Sequence, residues 1–274
     1  MTIHDMIELS VDDIVLQTGA TLHGRNSHDL ISQLLIDSRK LLVPEHSLFF
    51  AIRTSKRDGH DFIKDLYQKG VRHFVVNHAP DFTQYPEASF YVTQHVIDAL
   101  QKIAIDRRIR FDIPVVGITG SNGKTIVKEW LFHLLHSVKN IVRSPRSYNS
   151  QLGVPLSVWQ MDEHHQLGIF EAGISKAGEM QQLQKIIQPT LGIITNIGDA
   201  HSEGFGSMEE KLIEKCKLFE DTGTVVYCKD HEMIDRHLQH LLSIGRIGRL
   251  LSWGLHDQAD VHLQRSLHML IILF

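Results

Sequence analysis

Cysteine is nearly absent from this sequence of 274 residues: there are two, Cys216 and Cys228. Two cysteines build no disulfide framework, and their spacing fits no zinc pattern. A reducing, cytoplasmic compartment is the expectation. Also missing is any run near the ~18 apolar residues of a membrane-spanning helix. The opening stretch, MTIHDMIELSVDD, is too acidic and polar for a signal peptide. No membrane insertion is expected. Charge of one sign is lacking too, since 28 Lys+Arg against 32 Asp+Glu leave a formal charge of −4. Nothing there supports nucleic-acid binding, although a local basic site is allowed. Internal repeats and low-complexity tracts are absent. What remains is an ordinary globular composition, 42% apolar and 22% charged. The length suits two domains.

Short apolar runs alternate with longer mixed segments. Residues 48–52, 73–76 and 90–92 read as buried strands. Residues 62–69 read as a helix with Phe62, Ile63, Leu66 and Tyr67 on one stripe, stopped by Gly70. Residues 96–107 read as another, with Ile97, Leu100, Ile103 and Ala104 inward. Strands alternating with helices mean an α/β domain. The charged stretch 107–114, ending in Pro114, breaks the rhythm. A boundary near 111 gives domains at 1–110 and 111–274.

A second α/β series follows. Strands are expected at 115–119, 140–143, 167–171, 191–196 and 224–227, and helices at 124–137, 178–187 and 208–219. The unbroken apolar run Val115-Val116-Gly117-Ile118 suits a mostly parallel sheet covered on both faces.

The sharpest motif is Gly117-Ile118-Thr119-Gly120-Ser121-Asn122-Gly123-Lys124-Thr125. It leaves a strand and opens a helix, the setting a phosphate-binding loop requires. Its glycines let backbone N–H groups turn toward phosphate oxygens, and the helix N-terminus adds partial positive charge. Lys124 can reach the β- and γ-phosphates of ATP, and the Thr125 hydroxyl can ligate Mg²⁺. The usual pattern has glycine where Ile118 stands, so this is a variant loop. By itself such a loop says only "nucleotide".

The loop resembles that of the Mur ligases, the ATP-dependent amide-forming enzymes of peptidoglycan precursor synthesis. Further segments agree in order. Ser147-Tyr148-Asn149-Ser150-Gln151-Leu152-Gly153-Val154-Pro155 resembles the family's substrate-side loop. Glu171-Ala172-Gly173 with Gly178-Glu179-Met180 resembles its metal-binding glutamate segment. Thr195-Asn196-Ile197-Gly198-Asp199-Ala200-His201 is similar to its asparagine–histidine segment. Gly204-Phe205-Gly206-Ser207 and Glu214-Lys215-Cys216-Lys217-Leu218-Phe219 resemble its lysine helix. In the first domain, Asp37-Ser38-Arg39 and Asp58-Gly59-His60-Asp61-Phe62 resemble the uridine-nucleotide domain.

The resemblance implies a small uridine-nucleotide-binding α/β domain, then a P-loop ATPase domain. It implies ATP and Mg²⁺, with a UDP-N-acetylmuramoyl-tripeptide and D-alanyl-D-alanine as the substrates that the Phe205-Gly206-Ser207 form favours. A monomer is expected. Residues 120–125, that is Gly120, Ser121, Asn122, Gly123, Lys124 and Thr125, would hold nucleotide, and Asn196 would face adenine. Thr125, Glu171 and His201 would hold metal. Lys124, His201 and Lys215 would act in catalysis, with Lys215 carbamoylated as in several relatives. Ser38, Arg39, Tyr148 and Asn149 would meet substrate.

Read from the residues alone, alternatives stay open. His201 serves equally as a capping or packing histidine. Lys215 reads as one more solvated lysine beside Lys211 and Lys217. Asn196 suits a strand-end turn, and Tyr148 and Asn149 suit a loop turn. Arg39 could simply pair with Asp37 at the surface. Glu171 differs, because a charge ending a buried strand argues for a site. Ile126 replaces a second threonine of many relatives and is expected to affect packing. Lys217 and Leu218 stand where an acidic pair is more usual.

Other readings have the same chemistry. They are another Mur ligase, a folylpolyglutamate-type ligase, or a nucleotide-binding piece without turnover. The loop 144–151 and Trp159-Gln160-Met161 also resemble the ligase half of a ligase/alanine racemase fusion. The family's C-terminal domain is expected to be absent from these 274 residues, and the apolar end 269–274 to be foreign to it.

Overall fold

The computed structural model describes residues 8–25, 28–198, 204–255 and 257–263. Two compact units share the chain: Met1–Phe111 with Val158–Glu163, and Asp112–Ser157 with His164–Phe274. The apolar end 269–274 lies outside the described residues.

In the first unit, β1 (Leu9–Ser10) runs into α1 (Val11–Thr18). Ser10 and Asp13 form a capping box at its start, and Gly19 at φ 71° ends it. Next come β2 (Thr21–Gly24), β3 (Leu30–Ile31), β4 (Gln33–Leu35) and β5 (Ser47–Phe50). Then follow α2 (Ile63–Gln68), β6 (His73–Val76), β7 (Ser89–Val92) and α3 (Val96–Ile109). Five strands form one sheet in the order β2-β7-β6-β5-β4, parallel except at β2. β5 and β6 are buried along their whole length, which is why they read as continuous apolar runs. Phe49, Leu66, Phe74 and Phe90 meet in one core cluster.

The predicted stripe over 62–69 fails at its first residue. Phe62 ends a 3-10 turn, Gly59–Phe62, and faces solvent, while Ile63 and Leu66 are buried. A 3-10 turn advances 120° per residue, so its side chains leave the stripe of the following α-helix.

The segment 158–163 belongs with the first unit, although the boundary near 111 assigned it to the second. Its side chains explain why. The Trp159 indole Nε1–H donates to the Ser32 carbonyl at 3.0 Å. The Arg107 guanidinium stacks 4.7 Å from the Trp159 ring and donates from Nε to the Met161 carbonyl at 2.9 Å. Both Arg107 and Trp159 are buried. A Trp159→Ala variant removes the ring and leaves a cavity, so it should lose about 3 kcal/mol. Urea unfolding should show a lower midpoint, and an unchanged midpoint would remove Trp159 from the core.

The second unit holds β8 (Val115–Thr119), α4 (Lys124–Leu135), β9 (Ile141–Arg143), α5 (Gly153–Val158) and β10 (Leu167–Glu171). After these come α6 (Glu179–Ile187), β11 (Leu191–Ile194), α7 (Met208–Cys216) and β12 (Thr222–Cys228). Last are α8 (Glu232–Ser243), β13 (Ile247–Gly254) and β14 (Val261–His262). The seven strands make one wholly parallel sheet, β14-β13-β12-β11-β8-β10-β9. From β8 the chain runs to the edge strand β9, returns to β10 between β9 and β8, then crosses to β11 on the other side of β8. That reversal makes the carboxyl end of β8 a switch point, where open α/β sheets bind ligands. Among the described residues, no helix is long and apolar enough to cross a membrane.

Candidate active site

Three strand ends converge at this switch point. The loop 120–125 leaves β8. Glu171 ends β10 in register with Ile118, and Ile194 of β11 is in register with Thr119, two residues before Asn196. Sheet register therefore delivers Glu171 and Asn196 to either side of the loop.

The loop has the backbone its glycines permit. Gly120 sits at φ 140° and Gly123 at φ 82°, a region that residues with a Cβ rarely enter. Asn196 buttresses the turn: its side-chain oxygen accepts from Asn122 N at 3.0 Å, and its carbonyl accepts from Ser121 N at 2.9 Å. The Ser121 hydroxyl donates to the Gly198 carbonyl at 3.0 Å. Asn196 is thus built into the loop, whatever its relation to a base.

Lys124 folds back on its own loop. Its ammonium donates to the Gly120 carbonyl at 2.8 Å and lies 3.3 Å from that of Ser121. Burial lowers its pKa, with the Lys211 charge adding and the Glu171 charge opposing. Lys215 reaches the same Gly120 carbonyl at 3.2 Å. The solvated reading of Lys215 is overturned: it is only 3% exposed, and Lys211 beside it is buried too. On α7 these lysines share a face with the buried Leu212 and Cys216. Burial, and then the charges of Lys124 and Lys211, push the Lys215 amine down to about 8.

The sign of this shift has a stability consequence. Between about 8 in the folded protein and 10.5, the ordinary value, the unfolded chain carries the extra proton. Raising pH through that window therefore stabilises the fold. Lys215→Met should lose this gain, on the order of 2 kcal/mol. Urea midpoints of both proteins between pH 7.5 and 10 check it, and parallel profiles would refute the depressed amine.

Glu171 is fully buried. Its Oε2 accepts from the Thr125 hydroxyl at 3.0 Å and from Asn149 Nδ2 at 3.4 Å. Its Oε1 lies 2.9 Å from the Lys128 ammonium but accepts no directed hydrogen bond. A buried carboxylate whose Oε2 lies against a threonine hydroxyl is hard-oxygen chemistry that fits Mg²⁺. Among the described residues, no group of three or more His, Cys, Asp or Glu side chains could hold a metal alone. His201 lies outside the described residues.

A cavity of about 350 Å³ opens beside the loop, lined by Lys124, Asn149, Gly173, Glu179 and Lys215 among others. Asn149 therefore meets both the cavity and Glu171. Tyr148 does not line this cavity; its backbone N–H donates to the Pro145 carbonyl at 3.2 Å. Ile126, expected to act through packing, is 57% exposed and packs little. In the first unit, Arg39 grips Asp37 with two nitrogens, at 2.9 and 2.7 Å. This bidentate pair brings the Asp37 carboxyl down to about 2. Ser38 opens the 3-10 turn that Asp37 caps.

Sequence reasoning missed Lys128 and Glu214. Lys128 contacts Glu171, as above, and Glu214 accepts from Gly178 N at 2.7 Å and Met180 N at 3.1 Å, before and within the first turn of α6. Lys128 had one usable signal: it follows Lys124 by four residues, so it shares that helix face.

The Mur ligase middle domain matches residues 118–269, and the Mur ligase family catalytic domain matches residues 30–116. A UDP-N-acetylmuramoyl-tripeptide–D-alanyl-D-alanine ligase from Synechocystis is 31% identical over 85% of this chain and 50% of its own. The enzyme of the same name from Buchnera aphidicola is 34% identical over 78% of this chain and 45% of its own. The chain thus spans about half the length of the curated relatives it matches. Among solved structures, MurF from Acinetobacter baumannii superposes with a TM-score of 0.81 at 23% identity, covering 93% of this chain and 55% of that one. MurF ligase from Thermotoga maritima, solved in complex with ADP, gives 0.71 at 24% identity, covering 82% and 50%. With the middle-domain match covering more than half of its residues, the chain belongs to the Mur ligase family.

Proposed function

We propose that this chain carries the nucleotide-activating apparatus of an ATP-dependent amide-forming ligase of peptidoglycan precursor synthesis. It acts in the cytoplasm as a monomer, and its substrates are a UDP-N-acetylmuramoyl-tripeptide, D-alanyl-D-alanine and ATP. The observation that carries this is the Thr125 hydroxyl 3.0 Å from the buried Glu171 carboxylate, at the mouth of a glycine loop holding Lys124 and Lys215.

In this reaction a substrate carboxylate oxygen attacks the γ-phosphorus, the bond to the bridging oxygen breaks, and ADP leaves. The incoming amine attacks the resulting acyl phosphate, phosphate leaves, and the nitrogen gives up a proton. Negative charge crowds the transferring group, so preorganised donors do most of the work. Loop N–H groups and Lys124 hold the β- and γ-phosphates. Thr125 and Glu171 would hold Mg²⁺, which neutralises phosphate charge when bound, and His201 is proposed as a further metal contact from the family resemblance. Lys215 is the residue proposed for carbamoylation. CO₂ needs the neutral amine, and a pKa of about 8 leaves about one lysine in four neutral at pH 7.5. Asn149 and Tyr148 are proposed to meet the peptide substrate. In the first unit, Ser38 and Arg39 are proposed to meet the uridine diphosphate, which would compete with Asp37 for the guanidinium.

The test measures nucleotide binding and phosphate release separately. ATP binding with release dependent on both substrates supports the ligase. Binding without release supports a nucleotide-binding protein that does not turn over. Tight folate binding with no effect of a UDP-sugar would move the acceptor to a folate. Absence of nucleotide binding would overturn the assignment.

A further inference from the structure

Lys128 is the most completely enclosed cation near the loop, with no exposed surface. It projects from α4 one helical turn beyond Lys124. Its ammonium donates to the Ser144 carbonyl at 2.8 Å and to the Arg146 carbonyl. It lies 2.9 Å from Glu171 Oε1 and 3.2 Å from Glu129 Oε1. Burying a lysine is costly, and two carbonyls alone do not balance its charge. The Glu171 and Glu129 carboxylates do.

Three segments therefore meet at one nitrogen: the helix that follows the phosphate loop, the turn that leads into Tyr148 and Asn149, and the end of β10. Ser144 ties the same parts a second time, because its hydroxyl accepts from Glu171 N at 3.2 Å. The two oxygens of Glu171 have distinct surroundings. Oε1 faces Lys128, while Oε2 faces Thr125 and Asn149.

We infer that Lys128 is a positioning residue for the metal site. It holds Oε1 of Glu171 by charge and so fixes Oε2 toward Thr125, presenting one carboxylate oxygen to the cation. Through Ser144 and Arg146 it also ties the substrate-side turn to that carboxylate. This rests on the proposed role of Glu171 and Thr125 in holding Mg²⁺.

The experiment measures ADP affinity by calorimetry, with Mg²⁺ and with a chelator, in the wild-type chain, Lys128→Met and Lys128→Gln. The Gln amide can still donate to a loop carbonyl but has no charge for Glu171. Wild type should bind ADP more tightly with Mg²⁺. In both variants that gain should fall at least tenfold, while affinity in chelator stays within threefold. A variant that is folded by circular dichroism and keeps the full gain overturns the inference. So does an equal loss with and without Mg²⁺, since a merely structural defect weakens both. If only one variant folds, that one decides. Failure of both to fold also overturns it, because Lys128 is then a stability element. If wild type shows no Mg²⁺ gain, the metal reading of Glu171 and Thr125 falls and takes this inference with it.

Discussion

Gly120→Ala is expected to cost about 3 kcal/mol of stability and at least tenfold in ADP affinity. Two effects add. The backbone at Gly120 has φ 140°, which an L side chain rarely adopts. A Cβ built there would also lie 1.9 Å from the Thr195 hydroxyl and 3.1 Å from Asn196 N. Thr195 has little room to yield, because its hydroxyl donates to the Asn122 carbonyl at 2.5 Å. The loop would have to move, and with it the N–H groups that would face phosphate. Gly178 supplies the control. It too has positive φ, 87°, but a Cβ there meets nothing within 4 Å. Gly178→Ala should cost only backbone strain, about 1 kcal/mol. Equal urea midpoints for the two variants would show that the contact with Thr195 contributes nothing.

Lys124→Ala should weaken ATP and ADP binding roughly a hundredfold and leave the fold intact. Among the described residues the ammonium bonds only its own loop carbonyls, so its removal opens no distant contact there. The Gly120 carbonyl keeps Lys215 at 3.2 Å. What is lost is one or two charge-assisted hydrogen bonds to phosphate, about 3 kcal/mol. Calorimetric titration with ADP, alongside a urea midpoint, separates affinity from stability. Unchanged affinity would remove Lys124 from the phosphate site.

The central parallel strands were legible because they are buried on both faces, as in Val115–Thr119 and Leu167–Glu171. The loop was legible because its glycines, lysine and threonine are local in sequence. Elsewhere local pattern carried less. The edge strand Thr21–Gly24 is mostly exposed, and its four residues show no apolar alternation. The last elements, Glu232–Ser243 and Ile247–Gly254, follow the final motif, and the strand is mostly not buried, so it lacks the apolar run of the central strands. Lys128, Lys211 and Lys215 look like solvated lysines because lysine burial depends on what lies across the cleft. No helical period reports that Lys128 will meet Glu171, 43 residues away, beyond β9 and α5.

The Trp159 bond to Ser32 spans 127 residues, and the Arg107 bond to Met161 spans 54. During synthesis the first unit is therefore unfinished when residue 111 leaves the ribosome. At about 5–20 residues per second, residue 163 follows roughly 3–10 s later. For that interval Arg107 lacks the ring that will cover it, while the phosphate loop is already being made. Nascent-chain order and folding order therefore differ here. A gene fragment cut at 111 would reproduce that waiting state permanently.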